Sequence, residues 1–280
     1  MFQNKLSIKQ LVRPVSLLLL ALFFSASHAA PINYGDFSGT SVMYLDVTET
    51  ANTPGDTEPL FSSPTVTGNT LDFNPKGFAA SAGGGGVDIT DGQLNFMLRS
   101  IAGSAINSVI ISESGDYTLF GTGSAVTSVL AAASFSYVSV LEVDGVALAN
   151  PLKLSSSSAS FSLDLANNSG AASPWGLSLS VDVNAALTNA GVSFNGGATR
   201  LDVALDNILG AISEPSSLAL IAKKDFKLEV ITEAFPPNRD GLIENPITNV
   251  SAVPVPAAAW LFASGLIGLT AVSRRKHLTA

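Results

Sequence analysis

From Trp175 the chain alternates. Trp175, Leu177, Leu179, Val181 and Val183 are apolar, while Gly176, Ser178, Ser180, Asp182 and Asn184 between them are small or polar. Successive side chains of an extended strand point to opposite faces, so a period of two commits this segment to a strand with one dry and one wet side. The pattern returns at Ala159, Phe161, Leu163 and Leu165, at Leu201, Val203 and Leu205, and at Phe226, Leu228 and Val230. Residues 137–143 run into Asp144-Gly145, the pair that supplies positive φ for a tight turn, and residues 146–148 return as the second arm of a hairpin. Further strands are expected at 40–48, 71–74, 92–98, 109–113 and 117–121. About ten short strands joined by Gly, Ser, Asn and Pro predict an all-β fold, an antiparallel two-layer β-sandwich of jelly-roll-like type.

The two ends do not belong to that domain. Lys5, Lys9 and Arg13 precede an apolar stretch at 15–24 and a small-residue exit at 25–30, which is the layout of a secretory signal peptide; cleavage after Ala29 keeps Pro31 away from the cut bond. At the other end Val253-Pro254-Val255-Pro256 precedes a 16-residue apolar run, 257–272, and the basic cluster Arg274, Arg275 and Lys276. As a helix the run spans about 24 Å, which with its flanks just crosses a bilayer. The basic cluster belongs on the cytoplasmic side, and Trp260 near the other headgroup layer. The expected divisions are a signal peptide (1–29), a β-sandwich domain (30–234), a Pro/Asn-rich spacer (235–252) and the tail with its transmembrane helix (253–280).

The tail resembles the PEP-CTERM sorting signal of Gram-negative bacteria, which is read by the membrane enzyme exosortase. Pro254 and Pro256, Trp260-Leu261-Phe262, Ser264-Gly265-Leu266, Gly268-Leu269 and Arg274-Arg275-Lys276 carry the likeness, over about a tenth of the chain. Val255 stands where the family name has Glu. The stretch from Thr65 through Leu71-Asp72-Phe73 to Asp91-Gly92-Gln93-Leu94 also looks like a domain type that such proteins carry. The resemblance implies export through the inner membrane, transient anchoring with the C-terminus in the cytoplasm, and processing by exosortase to the cell surface or medium. It further implies delivery alongside exopolysaccharide, as in biofilm. A plain single-pass anchor would share this topology and differ only in lacking the cut near Pro254.

Removing the ends sharpens the charge argument. Each end holds three of the 14 bases and no acid, leaving eight bases against 22 acids, a net charge near −14. Such a surface repels nucleic acid and anionic lipid. Both histidines, His28 and His277, lie in the ends and the chain has no cysteine. The central domain therefore cannot assemble a nucleophile with a histidine base, nor a zinc, iron or copper site of the usual ligands. Carboxylate chemistry remains, as a glycosidase-type acid pair or an oxygen-ligated Ca²⁺ site.

Two acidic groupings are candidates. Asp88, Asp91 and Gly92 could offer carboxylates to Ca²⁺, yet they lack the ladder of a calcium loop and read better as a turn entering a strand at Leu94. Asp202 and Asp206 share a polar face, with Asp182 and Asp164 as possible neighbours in an acidic cleft; the plainer reading is a solvated sheet face. Residues 51–59 form a polar loop and 80–86 a glycine-rich turn, with no Lys-Ser/Thr after it to cradle phosphate. Trp175 heads an apolar stripe and so reads as core, which leaves Tyr34, Tyr44, Tyr117 and Tyr137 as the other large aromatics. No catalytic residue and no bound cofactor is assigned. The expected function is a structural or polysaccharide-interacting module of the envelope or extracellular matrix, with a carboxylate-pair glycoside hydrolase as the alternative.

Overall fold

A computed structural model describes residues 30–235 apart from Thr57. Ala29, the sorting residues at 253–276 and the expected C-terminal helix lie outside the described residues. No helix among the described residues is long and apolar enough to cross a membrane.

Every strand pairing is antiparallel, and the strands form two layers. One layer runs β1 (Ile32–Ser38), β2 (Val42–Ala51), β6 (Val87–Ser100), β12 (Ala198–Ile212), β8 (Ser128–Val143), and the far edge of β8 is shared by β9 (Val146–Lys153) and β10 (Ser157–Asp164). The other runs β11 (Gly170–Asp182), β7 (Ser104–Gly121), β13 (Ser217–Ala234). The second edge of β13 is divided between β5 (Ala79–Gly83) and β4 (Thr70–Phe73), and β3 (Thr65–Thr67) pairs with β4. One bridge, Ala198 to Ile106, joins the layers at a corner and bends the sandwich toward a barrel. Because β6, β8 and β12 lie in one layer and β7, β11 and β13 in the other, the chain crosses the core repeatedly, a jelly-roll-like route.

The alternating segments take the faces their sequence dictates. Leu201, Val203 and Leu205 are buried in β12, as are Trp175, Leu179 and Val181 in β11. Asp144 and Gly145 both have positive φ and close the β8–β9 hairpin, with Val143 opposite Val146. The Asp144 carboxylate also accepts from the backbone N–H groups of Asn195, Gly196 and Gly197, which fixes the approach to β12.

Four expectations need correction. Residues 109–113 and 117–121 are parts of one strand, β7, because Gly115 keeps the ladder running: its missing side chain leaves room for the carbonyl of Ala222 and the indole of Trp175. Asp88 to Gly92 is strand rather than turn. Gly92 faces inward, and its missing side chain is filled by Leu60, Phe61 and Phe78. Residues 79–83 of the supposed glycine-rich turn form β5, and the turn itself is confined to Gly84 and Gly85, both at positive φ. Leu165 begins a one-turn helix, α1 (Leu165–Asn168), and α2 (Val183–Asn189) follows β11.

The core is aromatic at its centre. Phe61, Phe73, Phe78 and Phe226 meet edge to face at centroid distances of 5.0 to 6.0 Å, a geometry that aromatic quadrupoles favour. Phe61 comes from a loop, and the buried Glu49 carboxylate holds it there by accepting from the N–H groups of Leu60 and Phe61 and from the Tyr34 hydroxyl. That hydroxyl is pushed above its ordinary pKa, first by burial and then by its bond to Glu49. Three further polar side chains, Glu113, Asn207 and Lys223, point inward beside these rings.

Candidate functional site

The outer face of the first layer carries the candidate site. Asp206 of β12 lies opposite Gln93 of β6 and Ser134 of β8; Gln93 lies opposite Thr50 of β2, and Ser134 opposite Ser158 of β10. Their strand neighbours Leu205, Leu94 and Ala133 are buried, so the five polar side chains form one row across five strands on the solvent side. Strands are spaced about 4.8 Å apart, so the row extends roughly 19 Å. It is internally tied: Gln93 donates to Asp206 Oδ1 at 2.9 Å, and Asn95 donates to Gln93 Oε1 at 3.5 Å.

Asp91 stands in the next row, diagonal to Asp206 and opposite Ile208. Burial raises its pKa, the charge of Asp206 raises it further, and a hydrogen bond from Asn52 opposes both. Asp56 on the adjoining loop is also raised, mainly by burial, with hydrogen bonds from the Asp91 backbone and Thr90 opposing and the charges of Asp88 and Asp91 adding. Two half-buried carboxyls thus share a neighbourhood that favours their protonated forms. Among the described residues no three acids converge closely enough to hold a metal ion.

The expected acidic grouping is divided. Asp202 and Asp206 lie on this face, four residues apart on β12. Asp164 and Asp182 are instead N-caps: Asp164 accepts from Asn167 N and Asp182 from Ala185 N, at the starts of α1 and α2. Their signal in the sequence was that of helix starts, an Asp directly before a short helix-compatible run. Trp175 is buried, donates its indole N–H to Ala222 O and packs against Phe161 at 5.5 Å, so it offers no exposed platform.

A separate concavity of about 480 Å³ opens where the β9–β10 connection meets α2. Lys153, Ser155, Ser157, Ser180, Asp182 and Asn189 contribute its polar lining. This cleft leaves no mark in the sequence, because its far wall comes from a helix distant in the chain. The row across the first layer was equally hidden: its members come from five strands, and only register brings them into line.

No family model and no curated protein matches the chain. Among solved structures it is similar to TmCBM61 in complex with beta-1,4-galactotriose, at 9% identity over 66% of this chain and 82% of that one, with a TM-score of 0.21. It is similar to a family 12 xyloglucanase from Bacillus licheniformis, at 8% identity over 72% and 99% of the two chains and a TM-score of 0.20. The enzymatically active domain of tailspike protein 4 of bacteriophage CBA120 matches at 13% identity over 68% of this chain and 19% of its own, with a TM-score of 0.18. Likeness at this level carries nothing about ligand or activity, which must be read from this chain's own residues.

Proposed function

We propose that the chain is an exported, exosortase-processed protein whose β-sandwich is a structural or polysaccharide-interacting module of the cell envelope or extracellular matrix. The observation that carries the binding reading is the row Thr50, Gln93, Asp206, Ser134 and Ser158. An extended glycan presents hydroxyls at a regular spacing along its length, and a row of amide, carboxylate and hydroxyl groups one strand apart can meet it as donors and acceptors. With a net charge near −14 the domain repels an acidic polymer, and Ca²⁺ held jointly by carboxylates of both would reverse that repulsion.

The Asp91–Asp206 pair supports a second reading as a glycoside hydrolase. A carboxyl whose pKa is raised, next to a second carboxyl, is the kind of pair that general acid catalysis uses. Retention of the processed protein on host exopolysaccharide, measured with calcium and with chelator, separates the readings. Calcium-dependent retention that is lost in the Gln93→Ala/Asp206→Ala double variant supports binding along the row. No retention in either condition leaves a scaffold role, and depolymerisation of the polymer puts the hydrolase first. The mass of the same recovered protein reads the cuts after Ala29 and near Pro254; an uncut tail would overturn the sorting reading.

A further inference from the structure

Lys223, Asn207 and Glu113 meet in the middle of the sandwich. Lys223 is on β13, Glu113 on the neighbouring strand β7, and Asn207 on β12 of the opposite layer. The side chains of Lys223 and Glu113 are buried to within 1% of complete, and Asn207 is fully buried. The Lys223 Nζ donates to Asn207 Oδ1 and is ion-paired with Glu113 Oε2. Around it stand the rings of Phe78, Phe226 and Phe61, at 4.3, 5.4 and 5.5 Å from Nζ to the ring centroids.

As separate side chains these groups are poorly served. Asn207 Nδ2 and Glu113 Oε1 are buried without a hydrogen-bond partner among the described residues. Native interiors rarely leave such atoms orphaned, and a specific orphan calls for an explanation. A buried lysine is equally costly, and phenyl rings replace little of its lost hydration. One reaction removes the buried cation and the orphan amide nitrogen together. We infer that Lys223 and Asn207 become joined by an intramolecular isopeptide bond, formed in the folded domain with Glu113 as proton relay and with release of one ammonia.

The atoms are placed for it. Nζ touches Asn207 Oδ1, and the electrophilic Cγ is one C=O bond, about 1.2 Å, beyond that oxygen. Burial lowers the Lys223 pKa against the opposing charge of Glu113, which makes the free amine accessible as a nucleophile. The Nζ lone pair forms a bond to Cγ as the carbonyl π electrons move to Oδ1. Glu113 takes one proton from Nζ and passes it to Nδ2; the carbonyl re-forms, the Cγ–Nδ2 bond breaks, and ammonia leaves. Starting from the Lys223–Glu113 ion pair, Nζ gives up two protons, one that leaves with the ammonia and one that Glu113 keeps, so Glu113 ends as the neutral acid, and no oxidant or cofactor is consumed. The product is a neutral secondary amide with a single N–H for Glu113 to accept, and the orphan Nδ2 is gone. The bond would tie one layer to the other, in a chain with no cysteine to do so.

Peptide mapping of the purified full-length chain tests this. Trypsin does not cut after an acylated lysine, so the linked protein yields 201–224 as one peptide, lighter than its sequence by one ammonia, in place of 201–223. Ammonia loss alone could come from a succinimide at Asn207, so the peptide is then cut between 207 and 223 with chymotrypsin, after Leu209, Leu218 and Leu220. The expected result is that the fragments holding Asn207 and Lys223 stay together as a branched species. Their separation would overturn the inference, whether or not ammonia has been lost. A folded Glu113→Gln variant is expected to give the free 201–223 peptide at its full sequence mass, and linkage in that variant would overturn the role of Glu113. The wild-type digest decides the bond itself even where that variant does not fold.

Discussion

Gly92 sits on the inner face of β6, and an alanine there should destabilise the domain. A Cβ at this position would lie 2.9 Å from Leu60 Cδ1, 2.9 Å from Phe78 Cε2 and 3.0 Å from Phe61 Cε2. None of the three can easily retreat. Phe61 and Phe78 are locked edge to face at 5.0 Å, and the backbones of Leu60 and Phe61 are held by Glu49. An added methyl in such a packed site costs about 1–3 kcal/mol, and three simultaneous encroachments place this one at the upper end. Against that, replacing a strand glycine by alanine gains about 0.4–1 kcal/mol by restricting the unfolded chain. The net loss is then about 1–2.5 kcal/mol, or roughly 2–10 °C in Tm for a domain of this size. Gly176→Ala is the control, since its Cβ would meet only Glu113 O at 3.6 Å on an exposed strand position. Calorimetric or circular-dichroism melting of both variants reads the difference. A Gly92→Ala protein as stable as the Gly176→Ala one would refute the packing argument, because only the crowding distinguishes them.

Two other perturbations follow from the site and from the layer edges. Because the fold raises the Asp91 pKa, the native state disfavours its charged form. The resulting penalty is present above the folded pKa and disappears as pH falls toward the unfolded value of about 3.9. Asp91→Asn keeps an acceptor for Asn52, so it should stabilise the domain at neutral pH and lose that advantage in acid; a gain equal at both, read by urea titration, would contradict the assigned cause. Phe161→Asp puts a charge where Phe161 of β10 meets Trp175 of β11, 5.5 Å away at the layers' shared edge. It should cost about 2–3 kcal/mol, and an unchanged urea midpoint would show that this edge contact contributes nothing.

What could be read in the sequence was what local chemistry decides. The alternation from Trp175 and the Asp144-Gly145 turn depend on near neighbours, and both appear where the pattern put them. The failures share a cause. Gly92 and Gly115 look like breaks in a strand, but each is a place where another part of the chain comes close, and closeness of distant segments leaves no local mark. Asp164 and Asp182 looked like members of an acidic face because alternation carried them there; in fact each strand stops at its aspartate and a helix begins. Lys223 was hidden by an irregularity. Ala219, Ile221 and Lys223 alternate inward, but the register shifts between Lys223 and Asp225, so the stripe read from Phe226, Leu228 and Val230 cannot be extended back through it.

That irregularity bears on what a lysine is doing in the core at all. A one-residue shift on β13 is what places Lys223 and Phe226 on the same side, so the amine and one wall of its phenyl cage depend on the same break in the ladder. If Lys223 and Glu113 were only a buried ion pair, apolar residues of similar volume at both positions would be at least as stable, because such a pair rarely recovers its desolvation cost, whereas removing one partner alone strands the other charge. A covalent link changes the comparison. Lys223 and Asn207 are 16 residues apart, and closing a loop of about that length removes roughly 3 kcal/mol of conformational entropy from the unfolded chain, a gain that no methionine at 223 could reproduce. The relative stability of the Lys223→Met/Glu113→Leu double variant and wild type therefore carries information beyond the digest: a bond predicts that wild type is clearly the more stable, whereas an unlinked ion pair predicts near equality or the reverse.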